Sequence, residues 1–255
     1  MEGMILAAGA GTRLGFITDE LPKALVQVGG KPLLGWVAES LVKAGVTRII
    51  VNTHHHEEQI RTFVQKSGSP GISFVLSPEP DGPYETGGGL LRAAPLFREP
   101  HPFLLHNADV LSTIPLEPLV TQHVETSEAM GGRLIASLAV QRRDSQRVLL
   151  FDDMGLMGWE NRGSDRTPDG RVQLRDPIGD VHRRSFTGIH VVDPTIFGLS
   201  DRTGAFSIIT LYLELAAAGW IINPIDVTHE QWFDVGTAAR LKEARARFSS
   251  RAKPS

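Results

Sequence analysis

The 255-residue sequence contains no cysteine, which excludes disulfide bonds, thiolate metal sites and cysteine nucleophiles together. No apolar run approaches the roughly 18 residues that a membrane-spanning helix needs. The first apolar stretch, Met4–Ala8, is short and is not preceded by basic residues. We therefore expect no signal peptide and a cytoplasmic protein. The formal net charge of −3 shows little excess of either sign, so neither a nucleic acid nor a membrane surface is an expected partner.

Hydrophobic residues make up 41% of the chain, enough for a substantial core. No linker and no internal repeat divides the sequence. We therefore predict a single domain over residues 1–248. Residues 249–255 have little to bury and are expected to form a tail.

The opening residues combine a buried strand with a glycine-rich turn and two cations. Met4–Ala8 is bounded by glycine on both sides and is typical of a strand buried on both faces. Gly9 and Gly11 allow a sharp turn whose N–H groups can converge on an anion, usually phosphate. Arg13 and Lys23 add positive charge to the same loop. A purely structural turn would not require both cations.

Two other interpretations of this loop are possible. Glycines alone are also compatible with a plain strand-to-loop connection. Gly9, Gly11 and Gly15 further imitate a dinucleotide-binding fingerprint, but that fingerprint opens a helix directly and needs an acidic residue about 20 positions on. The sequence at 15–22 favours a loop, and no such acidic residue follows.

Strands alternate with amphipathic helices along the first half of the chain, which predicts an α/β fold. The fold would be a doubly wound, mostly parallel sheet, followed by an elaborated second half that contains more β structure. A mobile loop is expected at 161–171. The predicted strands are 4–8, 48–53, 72–77, 103–106, 134–141, 148–153, 156–159, 186–192 and 220–227, and the predicted helices are 32–45, 57–66, 86–97, 206–218 and 237–248.

Five motifs in order make the chain resemble the sugar-nucleotide pyrophosphorylases, and within them the short N-acetylmuramate-1-phosphate uridylyltransferases and their mannose-1-phosphate guanylyltransferase-like relatives. The resemblance spans the whole chain and implies a three-layer sandwich. The motifs are Gly11-Thr12-Arg13-Leu14 with Thr18 and Pro22-Lys23, Glu85-Thr-Gly-Gly-Gly89, Leu105-His-Asn-Ala-Asp-Val110, Phe186-Thr-Gly-Ile189 and Trp232-Phe-Asp-Val-Gly-Thr237.

The resemblance implies a nucleotide-binding half (1–110) and a sugar-phosphate half (111–248), and it implies roles for individual residues. Asp109 and Asp234 match the two aspartates that bind the metal ion, expected to be Mg²⁺, and Arg13, Lys23 and Asp109 are the implied catalytic residues. The implied sugar-binding residues are Gly87, Thr187 and Gly188. The implied nucleotide-binding residues are Leu6, Ala7, Ala8, Gly9, Gly11, Thr12, Arg13, Lys23, Glu85, Gly87 and Asn107.

Simpler structural roles remain open for several of these residues. Asp109 could cap a turn, and Asp234 could cap the last helix. Residues 85–89 could be a flexible helix start capped by Thr86, although three glycines weaken a helix by about 1 kcal/mol each, a cost that close approach to a ligand would explain. Thr187 and Gly188 could belong to a plain strand with a bulge.

One family feature is missing. A Glu-Lys-Pro segment often supplies a lysine to the sugar phosphate, but this chain has Gly158-Trp-Glu-Asn-Arg162 there and no lysine between Lys66 and Lys242. Arg162, Arg175, Arg183 and Arg184 are the candidate replacements, and the sequence does not choose among them.

The sequence therefore predicts a magnesium-dependent nucleotidyltransferase that joins a sugar 1-phosphate to a nucleoside triphosphate. UTP is favoured because Ala8 follows the strand where purine-using members often carry a second glycine, and because groups near Glu85 could pair with a pyrimidine. The alternatives are a cytidylyltransferase for a phosphocholine-like or polyol phosphate and a catalytically silent nucleotide-sugar sensor.

Overall fold

A computed structural model of the protein describes residues 1–9, 11–67, 70–161 and 170–248, without the side chains of Phe16 and Ile17. Most of the predicted loop at 161–171 and the predicted tail lie outside the described residues. The helices are α1 (Leu33–Lys43), α2 (Glu57–Ser67), α3 (Glu85–Ala93), α4 (Leu116–Ala129), α5 (Ile208–Ala217) and α6 (Ala238–Phe248). The strands are β1 (Glu2–Leu6), β2 (Gln27–Val28), β3 (Lys31–Pro32), β4 (Arg48–Thr53), β5 (Ser73–Pro78), β6 (Phe103–Asn107), β7 (Val110–Ser112), β8 (Leu134–Gln141), β9 (Arg147–Asp152), β10 (Gly155–Asn161), β11 (Arg171–Gln173), β12 (His182–Val192), β13 (Ile221–Asp226) and β14 (Trp232–Asp234).

The central sheet has the strand order β5-β4-β1-β6-β12-β8-β13. All of these strands share one direction except β12, which is antiparallel to both neighbours. The first part of β12 also pairs with β9, which continues into β10 and β11 as an antiparallel arm. The predicted mostly parallel sheet with a β-elaborated second half is thus confirmed.

The sheet is covered on both faces, because alternate residues of its strands point to opposite sides. Ile5 of β1 belongs to a core cluster with apolar residues of α1, α2 and α4. Met4 and Leu6 belong to a second cluster, formed with α3 and α5. Two helical layers around one sheet make the three-layer sandwich that the resemblance implies.

A third cluster packs α6 beneath the opening loop. Leu14 of the loop lies there with Val235, Leu241 and Phe248. A Cβ at Gly29 would lie 2.6 Å from the carbonyl oxygen of Phe248, so only glycine allows this close approach. The last described helix therefore supports the loop that carries Arg13.

The structure shifts the bounds of several predicted elements and adds a helix. β1 ends at Leu6 rather than Ala8, because the Ala7 N–H leaves the ladder and donates to Asn52 Oδ1 at 2.6 Å. α3 ends at Ala93 rather than residue 97, because Pro95 follows in a short 3-10 turn. Helix α4 was not predicted at all.

No helix in the described part of the chain is long and apolar enough to span a bilayer.

Candidate active site

The first cavity lies at the carboxyl ends of β1, β4 and β6, where open α/β sheets place ligands. Its volume is about 370 Å³. Every predicted nucleotide-binding residue except Gly87 lines it. The lining residues are Leu6, Ala7, Ala8, Gly9, Gly11, Thr12, Arg13, Lys23, Ala24, Asn52, Pro83, Glu85, Thr86, Asn107, Ala108, Asp109 and Gly236.

Gly11 shapes the opening loop. Its φ is +66°, and an added Cβ would lie 2.9 Å from Thr18 Cγ2 and 3.0 Å from Lys23 Cβ. The Thr18 hydroxyl donates to the Gly11 carbonyl at 3.2 Å. Glycine therefore lets the two ends of the loop close on each other, which brings Lys23 into the cavity wall.

A buried polar chain positions the far wall of the first cavity. Asn52 Nδ2 donates to Glu79 Oε1 at 2.8 Å, and Glu79 Oε2 accepts from the Tyr84 N–H at 2.8 Å. Glu79 is buried. Glu85 follows with a φ of +58°, a conformation that costs a non-glycine residue about 1–3 kcal/mol and concentrates at functional sites.

The three glycines of α3 serve protein packing, which corrects the expectation that ligand approach explains them. A Cβ at Gly87 would lie 2.5 Å from the Phe206 ring, and one at Gly88 would lie 2.0 Å from the Gly204 carbonyl oxygen. The Gly87 N–H donates to the Phe206 carbonyl at 2.9 Å. Gly87 lines neither cavity, so the geometry gives no support to its predicted roles with nucleotide and sugar. Thr86 accepts from the Ile208 N–H at the start of α5 instead of capping α3.

The second cavity, of about 360 Å³, adjoins the first. The two cavities share Arg13, Asn107 and Asp109. The predicted sugar-binding residues Thr187 and Gly188 line the second one. The remaining lining residues are Val110, Arg143, Ser145, Arg147, Val148, Leu149, Trp159, Phe186, Ile209, Trp232, Asp234 and Arg240.

A bulge in β12 forms part of this wall. The register with β8 slips between Phe186 and His190, and Gly188 has a φ of +82°. A Cβ at Gly188 would lie 2.6 Å from Asn107 Nδ2. The bulge interpretation is therefore correct, and the bulge glycine also admits the Asn107 side chain to the boundary between the cavities.

Asp109 and Asp234 are brought together by a short strand pair. Asp234 lies opposite Val110 in the β7–β14 ladder, and the Val235 N–H donates to the Asp109 carbonyl at 2.8 Å. Asp109 Oδ2 contacts Lys23 Nζ. Gly236 leaves room for the Arg13 side chain. A Cβ added at Gly236 would lie 3.2 Å from Arg13 Nη2 and 2.7 Å from Asp234 Oδ1.

The two carboxylates fit a divalent cation. Asp234 Oδ2 contacts Arg240 Nη1 at 2.5 Å, whereas Asp234 Oδ1 is buried without a hydrogen-bond partner. A carboxylate oxygen without a hydrogen-bond partner is a suitable ligand for a hard divalent cation. The start of α6 is capped by Thr237, whose hydroxyl accepts from the Arg240 N–H at 3.4 Å, so the geometry does not favour Asp234 as its cap. The described residues contain no cluster of three His, Cys, Asp or Glu side chains that could hold a metal.

Three of the four candidate replacements for the missing lysine form ion pairs with carboxylates of the protein. Arg175 pairs with Asp152, and this contact holds the pKa of that carboxyl at about 2, well below its usual range. Arg183 pairs with Glu160 at 3.0 Å, and Arg184 lies 3.5 Å from Asp226. Arg162 lies outside the described residues.

Besides the predicted Arg13, three further arginines that sequence reasoning missed line the second cavity: Arg143, Arg147 and Arg240. Arg143 and Arg147 belong to the basic segment after β8, but no motif marks them. Their placement depends on the pairing of β8 and β9 with β12, which the sequence does not reveal.

Comparison with known proteins identifies relatives. The nucleotidyl transferase family model matches residues 2–148, more than half of the chain. N-acetylmuramate alpha-1-phosphate uridylyltransferase of Neisseria meningitidis serogroup B is 32% identical over 253 residues, covering 96% of this chain and 97% of the relative. Mannose-1-phosphate guanyltransferase of Kluyveromyces lactis is 29% identical over 205 residues, covering 79% of this chain and 52% of the relative.

A solved structure shares the fold. It is a putative glucose-1-phosphate thymidylyltransferase from Bacillus anthracis, superposed with a TM-score of 0.76 at 19% identity, over 98% of this chain and 95% of the other. The predicted family is thus confirmed: the chain belongs to the nucleotidyl transferase family, as a sugar-1-phosphate nucleotidyltransferase.

Proposed function

We propose that the protein transfers a uridylyl group from UTP to a sugar 1-phosphate with the help of Mg²⁺, forming a nucleotide sugar and pyrophosphate. The observation that carries this proposal is the junction of the two cavities at Arg13, Asn107 and Asp109. A triphosphate in the first cavity and a sugar phosphate in the second would meet there. Two polyanions can approach only if positive charge neutralises both.

The reaction is an in-line displacement. A phosphate oxygen of the sugar 1-phosphate forms a bond to the α-phosphorus of UTP, and the bond between that phosphorus and the bridging oxygen breaks as pyrophosphate leaves. The attacking oxygen is already anionic, so the protein needs no general base. Catalysis then consists of positioning and charge stabilisation.

The residues at the junction have distinct tasks. Arg13 follows the glycine turn directly and suits the departing pyrophosphate, whereas Lys23 arrives from the far end of the loop and suits the α-phosphate. Asp109 and Asp234 would hold Mg²⁺, which supplies positive charge to the phosphate oxygens when bound. The buried, unpartnered Oδ1 of Asp234 supports this assignment.

The first cavity supports a pyrimidine base. Ala8 is buried in the wall, where its methyl group would crowd a two-ring base. Glu85 is the first residue of α3, so its N–H has no acceptor within the helix and is available to a polar base edge. One methyl or one hydrogen bond discriminates by only about 1–3 kcal/mol, so the preference for UTP would be graded rather than absolute.

For the acceptor we propose N-acetylmuramate 1-phosphate. The Neisseria relative and a second one from Caulobacter vibrioides, 28% identical and covering 96% of each chain, are both named as uridylyltransferases for it. Such an acceptor carries a carboxylate besides its phosphate. The arginines of the second cavity match that excess of negative charge.

The test is pyrophosphate release by the purified protein with UTP, CTP, GTP and ATP, each combined with N-acetylmuramate, N-acetylglucosamine, glucose and mannose 1-phosphates. Inositol 1-phosphate and phosphocholine cover the cytidylyl alternative. Mg²⁺ is supplied, then removed with EDTA and restored. We expect UTP with N-acetylmuramate 1-phosphate to react fastest, and EDTA to abolish the reaction reversibly.

Each alternative has its own outcome. Faster release with GTP or ATP would contradict the pyrimidine assignment, and CTP with a polyol phosphate would favour the cytidylyl alternative. Binding of a nucleotide sugar without any turnover would favour the sensor. The Ala8→Gly variant should raise the ratio of GTP to UTP use by about tenfold if the methyl group excludes the larger ring.

A further inference from the structure

The missing lysine raises the question of which side chain binds the acceptor. We propose that Arg143 binds the phosphate of the acceptor in the second cavity, an assignment that rests on the proposed function. No residue of the motifs predicts this role. Four observations on the described residues carry it.

The first observation is location. Arg143 follows β8 and lines the second cavity together with Asp109 and Asp234. A group bound to its guanidinium would therefore lie in the same cavity as both metal-binding carboxylates. The acceptor phosphate, which contains the attacking oxygen, must reach that region.

The second observation is that the protein fixes the guanidinium without using all of its donors. Arg143 Cζ lies 3.6 Å from the centroid of the Trp232 ring, and Arg143 Nη2 donates to the Phe186 carbonyl at 3.1 Å. The indole N–H of Trp232 donates in turn to the Thr187 carbonyl at 2.7 Å. A guanidinium held in this way loses little freedom when it binds a phosphate.

The third observation is an unused donor. Arg143 Nε is buried and has no hydrogen-bond partner among the described residues. A buried donor without a partner is costly unless a ligand provides the acceptor. Nε and the adjacent Nη form a fork that matches two phosphate oxygens.

The fourth observation is uncompensated charge. Arg143 has no carboxylate at ion-pair distance in the described parts of the chain, whereas Arg240 in the same cavity pairs with Asp234 at 2.5 Å. Burial, followed by repulsion from Arg240, lowers the pKa of Arg143, against a smaller opposing attraction from Asp234. A phosphate would relieve both effects. Arg147 lines the same cavity but is exposed, which suits a second contact at the rim.

The alternative is a purely structural role, in which Arg143 only holds Trp232 against the bulge. The two roles differ in the kinetic parameter they control. An acceptor-binding arginine affects the KM for the sugar phosphate, whereas a structural arginine affects stability and both substrates together.

The experiment compares Arg143→Met, which keeps the length and apolar stem, with Arg143→Lys, which keeps a charge, and with Arg142→Met as the matched control. Arg142 is the chain neighbour, is exposed, pairs with Asp226 at 3.2 Å and lies outside both cavities. Initial rates give kcat and the KM of each substrate, and melting temperatures report folding. Inorganic phosphate is tested as a competitive inhibitor against the sugar phosphate.

We expect Arg143→Met to raise the acceptor KM by about 10- to 100-fold, as loss of a charged hydrogen bond would, with the UTP KM changed less than about twofold. Inorganic phosphate should inhibit this variant correspondingly less. Arg143→Lys should recover part of the affinity, and Arg142→Met should match the wild type.

An unchanged acceptor KM in Arg143→Met would overturn the assignment. Equal losses toward both substrates, with a lower melting temperature, would also overturn it in favour of the structural role. These outcomes require a wild-type protein that turns over a sugar 1-phosphate. A wild type that binds UTP without any turnover would instead refute the proposed function, and the assignment with it.

Discussion

The two cavities are built in different ways. One wall of the first is a contiguous loop of small residues, in which Gly9 and Gly11, beside Ala7 and Ala8, have only backbone to present. The second is lined by large side chains from distant segments, among them Arg143, Trp159, Phe186 and Trp232. The triphosphate group is the same in every nucleoside triphosphate, whereas the acceptors named for the relatives differ. A site made from backbone suits the constant substrate, and a site made from side chains suits the variable one.

The difference also explains what a sequence reveals. A backbone-built site needs glycine at fixed spacing, and such spacing forms a motif. A side-chain-built site needs only that distant residues converge, which leaves no local pattern. Three series of variants and one acid titration test or sharpen this contrast.

The largest effect is expected where the cavities join. Asp109→Asn and Asp234→Asn should each lower kcat by about 10²- to 10⁴-fold, because loss of a carboxylate weakens binding of the metal ion that neutralises the phosphates. Asp109 lines both cavities and Asp234 only the second, so the KM for the triphosphate should rise in Asp109→Asn alone. Pyrophosphate release over a range of both substrates gives these values.

Asp19→Asn is the control, because Asp19 is exposed and lines neither cavity. Both active-site variants should keep their free energy of unfolding within about 1–2 kcal/mol of the wild type. Near wild-type turnover in either variant would remove that aspartate from the metal site.

Lys23 should have the next largest effect. It is mostly buried and contacts Asp109, so we expect its charge to act on the α-phosphate as negative charge grows in the transition state. Lys23→Ala should lower kcat by about 10- to 10³-fold and raise the triphosphate KM much less. Arg13→Ala should raise the triphosphate KM more strongly.

Lys31→Ala serves as the control, because Lys31 pairs with Glu39 away from both cavities. A raised KM at unchanged kcat in Lys23→Ala would mean that Lys23 only binds the ground state.

Alanine substitutions at Gly88 and Gly9 should distinguish a glycine needed for packing from a glycine needed for binding the triphosphate. Gly88→Ala places a Cβ 2.0 Å from the Gly204 carbonyl oxygen and should destabilise the fold by about 1–3 kcal/mol, as overpacking does. Gly9 has no atom within 4 Å of an added Cβ but lines the first cavity. Gly9→Ala should keep the stability and raise the triphosphate KM.

Denaturant unfolding measures the stabilities, with Gly198→Ala, equally uncrowded and outside both cavities, as the control. A stable Gly88→Ala variant with poor triphosphate binding would reverse the assignment and restore the glycine run of α3 to the binding site.

A fall in pH should destabilise the first half (1–110) and the second half (111–248) in a single unfolding transition. Burial lowers the pKa of His106, in the first half, to about 4, and that of His190, in the second half, to about 3. Unfolded histidine binds its proton near pH 6.5, so the unfolded state takes up protons first as the pH falls. The free energy of unfolding should decline below pH 6.5, by about 1.4 kcal/mol per pH unit for each buried histidine, until the folded pKa is reached.

Tryptophan fluorescence can follow both halves, since Trp36 lies in the first and the other three tryptophans lie in the second. Because both halves contribute strands to one sheet, Trp36→Phe and the wild type should show a single transition at the same pH. Two separate transitions would contradict the prediction of a single domain.

The first cavity was largely predictable from the sequence, and the second was not. Arg13, Lys23 and Asp109 stand in motifs because a short loop and a strand end place them. Arg143 and Asp234 line the same cavity because β8 pairs with β12 and Trp232 of β14 donates to Thr187 of β12, although these strands are distant in sequence. Local spacing carries no information on such pairings.

The secondary structure, too, was predictable only where a local sequence pattern was strong. Long strands and strongly amphipathic helices were found, but α4 was missed because only Leu116, Leu119 and His123 are fully buried and prolines stand at 115 and 118. Strands β7 and β14 have three residues each, too few to show a period of two, although their pairing brings Asp109 and Asp234 to the same cavity. The predicted end of β1 was wrong because the Ala7 N–H donates to the Asn52 side chain instead of to a neighbouring strand.

The packing of α6 under the opening loop has a consequence for the order of events on the ribosome. Arg245 Nε donates to the Gln27 carbonyl at 3.0 Å across 218 positions of sequence, and Phe248 packs on Trp36. The loop that carries Arg13 and Lys23 is synthesised more than two hundred residues before Asp234 and α6. We therefore expect a nascent chain to turn over no nucleotide before α6 has been synthesised, and products that end before Asp234 to be inactive.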